Sequence, residues 1–250
     1  MSPLKISYSS DSITVSLNRP EKRNALDLEL MSELTDFFID LKENLKSFKY
    51  ILLEGEGKSF CAGADLSWMK NMAQYSYEEN LEDSKVLFNL FNSIYSCPLP
   101  VIVKAHGHVF GGGLGLLAAA DLVVAEENTK FCFSEVKLGL APAVISSFVV
   151  SKCNLAQAEF FMLSAEVFNE QQALNMGLVN TVFEKERFKK ITASLESSSQ
   201  EALVATKKLL KEQRLLKPTD FKDQTISVIS KLRVSDEAQN RMNAFLSKQR

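Results

Sequence analysis

Residues 101–125, VIVKAHGHVFGGGLGLLAAADLVVA, decide how this chain reads. Residues 101–104 form a compact apolar run released by the breakers Pro98 and Pro100, which is the pattern of a strand buried on both faces. HGHVFGGGLG follows as a loop whose small residues carry the chain into an apolar helix over 114–120. Residues 121–125 return as a second buried strand, so strand, helix and strand alternate and an α/β fold follows.

Working outward, LKISY at 4–8 and SITVSLN at 12–18 flank Ser9, Ser10 and Asp11, a hairpin signature. Behind an Asp27 cap, Leu28, Leu30, Met31, Leu34, Phe37, Phe38 and Leu41 recur at helical spacing and predict an amphipathic helix of about four to five turns. Residues 50–53 read as a buried strand closed by Gly55 and Gly57, and a further helix is expected near 78–95. Beyond the opening stretch come a short strand at 130–133, helical pieces over 145–161 around Asn154, and a helical pattern after Val182 almost to the end. The expected organisation is an α/β core over 1–185 and a helical oligomerisation part over 186–250.

With Lys+Arg 29 against Asp+Glu 31, the net charge of −2 leaves no cationic excess for a nucleic-acid backbone. No apolar run approaches the roughly 20 residues needed to span a bilayer. The N-terminal MSPLKISYSSDSITVSLN has neither a secretory nor a transit layout, so a cytoplasmic chain is expected. The four cysteines, 61, 97, 132 and 153, lack CxxC spacing and sit among apolar neighbours, which suits buried thiols rather than a disulfide frame or zinc knuckle.

Two small-residue turns follow buried strands, FCAGAD at 60–65 and FGGGLG at 110–115. If both lead into helices, their uncovered N–H groups can converge on an oxygen that turns negative during reaction; the alternative is plain close packing. Gly113-Leu-Gly115-Leu-Leu-Ala118 also fits GxGxxA, with Glu135 twenty residues past Gly115, but the intervening loop separates it from the strand a dinucleotide fingerprint requires. His106 and His108 are the only histidines, no Cys or carboxylate cluster accompanies them, and no metal site is expected. Without a GxSxG elbow a Ser-His-Asp hydrolase has little support. Glu135, at a strand exit amid apolar residues, is the candidate proton carrier, since desolvation would raise its pKa; pairing with Lys137 or capping the next segment is its bland alternative. Glu126, Glu127 and the acids of 76–83 read as solvated faces.

NRPEKRNAL at 18–26, FCAGADL at 60–66, HVFGGGLGLLAAADLVVA at 108–125, SEVKLGLAPA at 134–143 and AFLSKQR at 244–250 resemble, in order and spacing, the enoyl-CoA hydratase/isomerase (crotonase) superfamily over essentially the whole chain. FCAGADLSWM and SEVKLGLAPAVIS look most like its 3-methylglutaconyl-CoA hydratase branch. The resemblance implies a crotonase-like spiral core of ββα turns with a helical C-terminal part. It also implies trimers or dimers of trimers, an acyl-CoA thioester as substrate, and no further cofactor. By motif position, the Ala64 and Gly112 N–H groups would hold the thioester oxygen and Glu135 would move protons. Ala62, Gly63, Asp65, Leu66, Gly111, Gly115 and Pro142 would meet the substrate. Lys22, Arg23 and, from a neighbouring subunit, Lys248 are candidates for the coenzyme A phosphates.

One residue departs from the family pattern. Two-glutamate hydratases carry an acid two residues after GGG, where this chain has Gly115. A single carboxylate can in principle activate a water and return its proton, and it suits double-bond isomerisation as well. The leading expectation is therefore an enoyl-CoA hydratase, with 3-methylglutaconyl-CoA a candidate substrate. The alternatives are an enoyl-CoA isomerase or a catalytically silent acyl-CoA-binding paralogue. A carboxylated substrate would rationalise Gly115 as relief of like-charge repulsion. It would also need a counter-charge or a set of N–H donors near the far end of the acyl pocket, for which His108, the Lys70 region or the 142–147 turn are candidates. Apolar positions Phe221, Ile226, Ile229 and Leu232 in the C-terminal part suit subunit contacts.

Overall fold

The computed structural model describes residues 2–43, 45, 47–72, 74–213 and 240. Strands β1 (Leu4–Tyr8) and β2 (Ser12–Leu17) form the expected antiparallel hairpin, with Leu4 opposite Leu17 and Tyr8 opposite Ile13. Helix α1 (Leu28–Glu43) follows, its Leu30 N–H donating to Asp27 Oδ1 at 3.0 Å, and returns the chain to β3 (Tyr50–Gly55), parallel to β2. Helices α2 (Leu66–Met72) and α3 (Tyr77–Ser96) lead to β4 (Val101–Ala105), β5 (His108–Phe110) and α4 (Gly112–Ala119). Strands β6 (Leu122–Ala125) and β7 (Lys130–Cys132), helices α5 (Ala143–Lys152) and α6 (Leu155–Ser164), strand β8 (Phe168–Asn169), helix α7 (Glu170–Met176) and strand β9 (Thr181–Val182) complete the body. Helices α8 (Lys185–Glu196) and α9 (Gln200–Gln213) close the described part.

Each circuit of the chain lays one strand in a large sheet and one short strand beside it, the crotonase-like spiral. The large sheet runs β1-β2-β3-β4-β6-β9, parallel after the hairpin, and a smaller one runs β5-β7-β8. Single bridges extend the smaller layer to the earlier circuits, Cys61 pairing with Val109 and Leu26 with Ala64. Segments far apart in sequence therefore stack side by side in this layer, and it carries the site.

Helix α4 is apolar all round, and all seven residues from Gly113 to Ala119 are buried, as a helix without a polar face must be. Phe161 stacks on Phe168 at 4.3 Å, and Phe168 on Phe131 at 5.4 Å, filling the space beneath the smaller sheet. On the outer face of the large sheet, Tyr50, Ile102 and Val124 are covered by Phe183, just after β9, and by Phe188 and Leu195 of α8. Helix α9 is tied to the body by the buried Lys207, whose ammonium meets the Leu99 carbonyl at 2.7 Å and Asp121 at 2.5 Å.

Two expectations change. HGHVF is not all loop, because β5 occupies 108–110, held by β7 and by Cys61, and it runs directly into Gly111. The argument against a dinucleotide fingerprint from an intervening loop therefore fails, but Gly113 and Gly115 lie inside α4 rather than in a phosphate-binding turn. Helix α4 also starts at Gly112, two residues earlier than its apolar run suggests. The C-terminal apolar positions Phe221, Ile226, Ile229 and Leu232, and Lys248, lie outside the described residues.

Candidate active site

The first small-residue turn is held against the preceding circuit. Ala62 N–H donates to the Arg23 carbonyl at 3.0 Å, Leu26 N–H to Gly63 at 2.7 Å and Asp65 N–H to Leu26 at 2.8 Å. Gly63 adopts φ +99°, and a Cβ there would lie 3.1 Å from the Phe110 carbonyl oxygen, so glycine is required on both counts. Between these anchored groups the Ala64 N–H meets no acceptor among the described residues.

The second turn lies alongside. Phe110 N–H donates to the Cys61 carbonyl at 3.0 Å and Gly111 N–H to Cys132 at 3.0 Å. Gly111 takes φ +48°, and Gly112 opens α4, so its N–H has no place in the helical ladder and finds no acceptor among the described residues. Adjacent free donors on neighbouring circuits, one at a helix start, can polarise a carbonyl oxygen placed between them.

The circuit after that supplies the carboxylate. Beyond β7, residues Glu135–Leu138 form a 3-10 turn that closes on Gly139, with Leu140 N–H donating to the Glu135 carbonyl at 3.1 Å. Glu135 Oε1 stands 3.4 Å from where a Cβ on Gly111 would be, placing the carboxylate beside the second turn. Its Oε2 is buried with no hydrogen-bond partner among the described residues. Burial pushes its pKa up, opposed only by a hydrogen bond from its own backbone. Lys137 does not pair with it, since the ammonium donates to the Ala165 carbonyl at 2.5 Å.

These groups face one cavity of about 700 Å³. Ala62, Gly63, Ala64, Leu66, Gly111, Gly112, Glu135 and Pro142 all line it, and its walls are largely apolar, with Leu26, Trp68, Met72, Leu87 and Leu140 among them. A second hollow of about 550 Å³ lies between β1 and α1 and holds none of these groups.

Other candidates lie elsewhere. Asp65 is turned away from the cavity toward Arg19 and Lys22, at 3.1 and 3.2 Å. Burial would raise its pKa, but hydrogen bonds from the Ser67 N–H, Lys22 and Arg19 outweigh that and bring it down to about 2. Asp65 and Lys22 border a smaller adjoining hollow, while Arg23 lines neither. His106 Nε2 contacts the Gly57 carbonyl at 3.1 Å and His108 Nδ1 the Ser59 hydroxyl at 3.3 Å, so both histidines brace the loop before Phe60. Among the described residues no group of three metal-capable side chains occurs. Cys61, Cys97 and Cys132 are buried free thiols, and Cys153 is partly buried.

Gly115 does not face the cavity. A Cβ built on it would sit 2.4 Å from Phe91 Cζ, so the Phe91 ring fills the space an acid at this position would enter. The electrostatic rationale for Gly115, that it spares a charged substrate a second carboxylate, gives way to a packing one. Asp83, read as part of a solvated face, proves to line the cavity, and its Oδ1 accepts the Trp68 indole N–H at 2.9 Å. Asn80, Asp83, Ser84 and Leu87 all line it, and their i, i+3, i+4, i+7 spacing is the signal that marks one helix face. Ser134 is a further polar wall residue that sequence reasoning did not single out.

The family profile described as enoyl-CoA hydratase/isomerase matches residues 9–250. The chain belongs to the enoyl-CoA hydratase/isomerase family. The enoyl-CoA hydratase AKT6-1 of Alternaria alternata is 36% identical over 184 residues, 73% of this chain and 59% of that protein, so the match spans less than two thirds of that relative. The 2,3-dehydroadipyl-CoA hydratase of Escherichia coli is 28% identical over 253 residues, covering 99% of this chain and 97% of its own. Among solved structures, an enoyl-CoA hydratase from Shewanella pealeana superposes with a TM-score of 0.92 at 34% identity, covering 98% of this chain and 94% of that one. The hydratase/isomerase fold thus extends over the site-bearing circuits, and no helix among the described residues is long and apolar enough to cross a membrane.

Proposed function

We propose that the chain hydrates an enoyl-CoA thioester, with Glu135 as its proton carrier. The observation that carries this reading is a buried carboxylate with a raised pKa and a partnerless oxygen, sharing one apolar cavity with two free N–H donors. The thioester oxygen takes hydrogen bonds from Ala64 and Gly112, and the α4 terminus adds its dipole to the negative charge that builds on that oxygen. Glu135 removes a proton from a water as its oxygen bonds to C3. The electron pair of the double bond moves to C2 and the enolate, and Glu135 then returns the proton to C2. Substrate atoms and water are conserved, and the carboxylate is regenerated.

Double-bond isomerisation is the second reading, favoured by the absence of an acid at Gly115. Glu135 would take a proton from C2 of a 3-enoyl-CoA and deliver it to C4. The third is a paralogue that binds acyl-CoA without turnover. Lys22, at the rim of the adjoining hollow, is our candidate for a coenzyme A phosphate, as is Lys248 of a neighbouring copy if the chain assembles in threes through residues 186–250. Light scattering tests that assembly. The 3-methylglutaconyl branch stays a candidate from motif resemblance; of the groups considered for its carboxylate, neither His108 nor Lys70 lines the cavity, whereas Pro142, Ala143, Val144 and Ile145 of the 142–147 turn do.

Incubation with crotonyl-CoA, 3-methylglutaconyl-CoA and a 3-enoyl-CoA, following absorbance of the conjugated thioester, tests the proposal. Loss of absorbance with either conjugated substrate supports hydration. A gain with the 3-enoyl substrate alone supports isomerisation. No change with any of them refutes both.

A further inference from the structure

The face of α3 that borders the cavity is polar, and its groups are not equally occupied. The Asn80 amide nitrogen donates to the Tyr75 and Ser76 carbonyls at 3.1 and 3.0 Å, and the Ser84 hydroxyl donates to the Asn80 carbonyl at 2.8 Å. Asp83 differs. Its one hydrogen bond comes from the Trp68 indole to Oδ1 at 2.9 Å, and no cation pairs with it among the described residues. A carboxylate offers about four lone-pair sites, so most of the accepting capacity of the half-buried Asp83 is not taken by protein groups among the described residues. Trp68 is only 7% exposed, so the indole is a fixed anchor that holds this carboxylate in the cavity wall.

The other charged groups lining the cavity are Glu135, also acidic, and Lys137, which keeps its positive charge but is held by a hydrogen bond from its ammonium to the Ala165 carbonyl. The apolar walls at Leu87, Met72 and Trp68 leave charges across the cavity less screened than on an open surface, although Asp83 itself is half-exposed.

We propose that Asp83 sets the charge selectivity of the acyl cavity. Its fixed negative charge rejects acyl chains that end in a carboxylate, which argues against 3-methylglutaconyl-CoA among the candidate substrates, and its free lone pairs accept a hydrogen bond from a chain that ends in a hydroxyl. This inference rests on the acyl-CoA reading of the cavity but not on whether the reaction is hydration or isomerisation.

The test is binding of three saturated thioesters of equal chain length, hexanoyl-CoA, 6-hydroxyhexanoyl-CoA and adipoyl-CoA, to the full chain by titration calorimetry. Asp83→Asn keeps an amide oxygen for the Trp68 N–H while removing the charge, and a melting curve confirms that the variant folds. The wild type should bind adipoyl-CoA ~10-fold or more weaker than hexanoyl-CoA, and Asp83→Asn should recover most of that factor while changing hexanoyl-CoA by less than about 3-fold. A wild type that binds adipoyl-CoA as well as hexanoyl-CoA, or a gap that Asp83→Asn leaves unchanged, overturns the role of Asp83 alone. Failure of all three thioesters to bind overturns the acyl-CoA reading together with it. Should Asp83→Asn not fold, Asp83→Glu, which keeps the charge, must retain the discrimination or the proposal falls.

Discussion

Replacing Gly115 with alanine isolates the contact that separates this chain from a two-glutamate pattern. The new Cβ would lie 2.4 Å from Phe91 Cζ and 2.7 Å from both Cε atoms. Carbon atoms prefer about 3.5–4.0 Å, so the ring must retreat by roughly 1 Å or more. It has little room, being fully buried and packed edge-on against Phe148 at 5.8 Å. Overpacking of this kind costs about 1–3 kcal/mol, and alanine in a helix interior returns up to about 1 kcal/mol over glycine. A 2.4 Å approach to a ring with so little room puts the cost at the upper end, and the net expected loss is about 2 kcal/mol. Phe91→Leu should relieve it, so the double variant should be more stable than the sum of the two singles by ~1 kcal/mol or more, measured by urea unfolding of all four proteins. Affinity for hexanoyl-CoA should stay within about 3-fold in Gly115→Ala, because position 115 does not line the cavity. An additive cycle, or a Gly115→Ala protein as stable as wild type, would refute the assignment of that space to Phe91.

Glu135→Gln should cut turnover by about 10²–10⁴ while leaving acyl-CoA affinity within about tenfold. Because burial raises the native pKa of Glu135 above its unfolded value, the native state binds the proton more tightly, and stability falls as pH rises between those two values. Glu135→Gln should therefore be the more stable protein at neutral pH and lose that advantage below about pH 4, as denaturation at both pH values will read. Gly112→Pro deletes one N–H donor, a loss worth roughly 3–4 kcal/mol in activation free energy. Proline is tolerated at a first helical position, but a Cβ there comes within 2.7 Å of Leu26 Cδ1, so the kinetics should be read in a Leu26→Ala background. Lys211 lies 4.0 Å over the Tyr95 ring and 3.8 Å from Asp121, and burial, with Lys207 adding to it, lowers its pKa to about 7 from 10.5. The unfolded state then holds more protons between those values, so stability should rise with pH across that window, and Lys211→Met should abolish the rise; a slope unchanged in the variant excludes Lys211 as its source.

How much could be read beforehand depended on whether the governing contacts were local. Helix α1 was legible because its apolar stripe and its Asp27 cap are both written within sixteen or so consecutive residues. Strand β5 was not, since three residues between Gly107 and Gly111 become a strand only through pairing with Cys61 and β7. The early start of α4 was hidden for a related reason. Two glycines disfavour a helix locally, and it is the closeness of Leu26 to Gly112 and of Cys61 to Gly113 that makes them necessary there. Glu135 could be singled out because an acid among apolar neighbours is locally odd, whereas Asp83 sits in an acidic run that looks solvated until Trp68 is brought against it. Gly115 was misread as electrostatic because Phe91, the residue that explains it, lies 24 positions away.

The division of labour in this site bears on how one framework can serve two reactions. Both candidate donors to the thioester oxygen are backbone N–H groups, fixed by hydrogen bonds between successive circuits, so most side-chain substitutions leave them in place. Proton handling instead rests on side chains that the same circuits merely present, and these can be lost or exchanged without disturbing the donors. Phe91 occupies the space a side chain at position 115 would enter, while the Ala64 and Gly112 backbone and Glu135 all line the cavity. Isomerisation then needs nothing more than Glu135, whereas hydration must also hold a water within reach of it. The polar cavity groups available for that water are Ser134, beside Glu135, and the α3 face bearing Asn80, Asp83 and Ser84. On the proposed acyl-CoA reading, the choice between the two reactions would therefore turn on those polar wall residues rather than on the donor pair, which both reactions would require in equal measure.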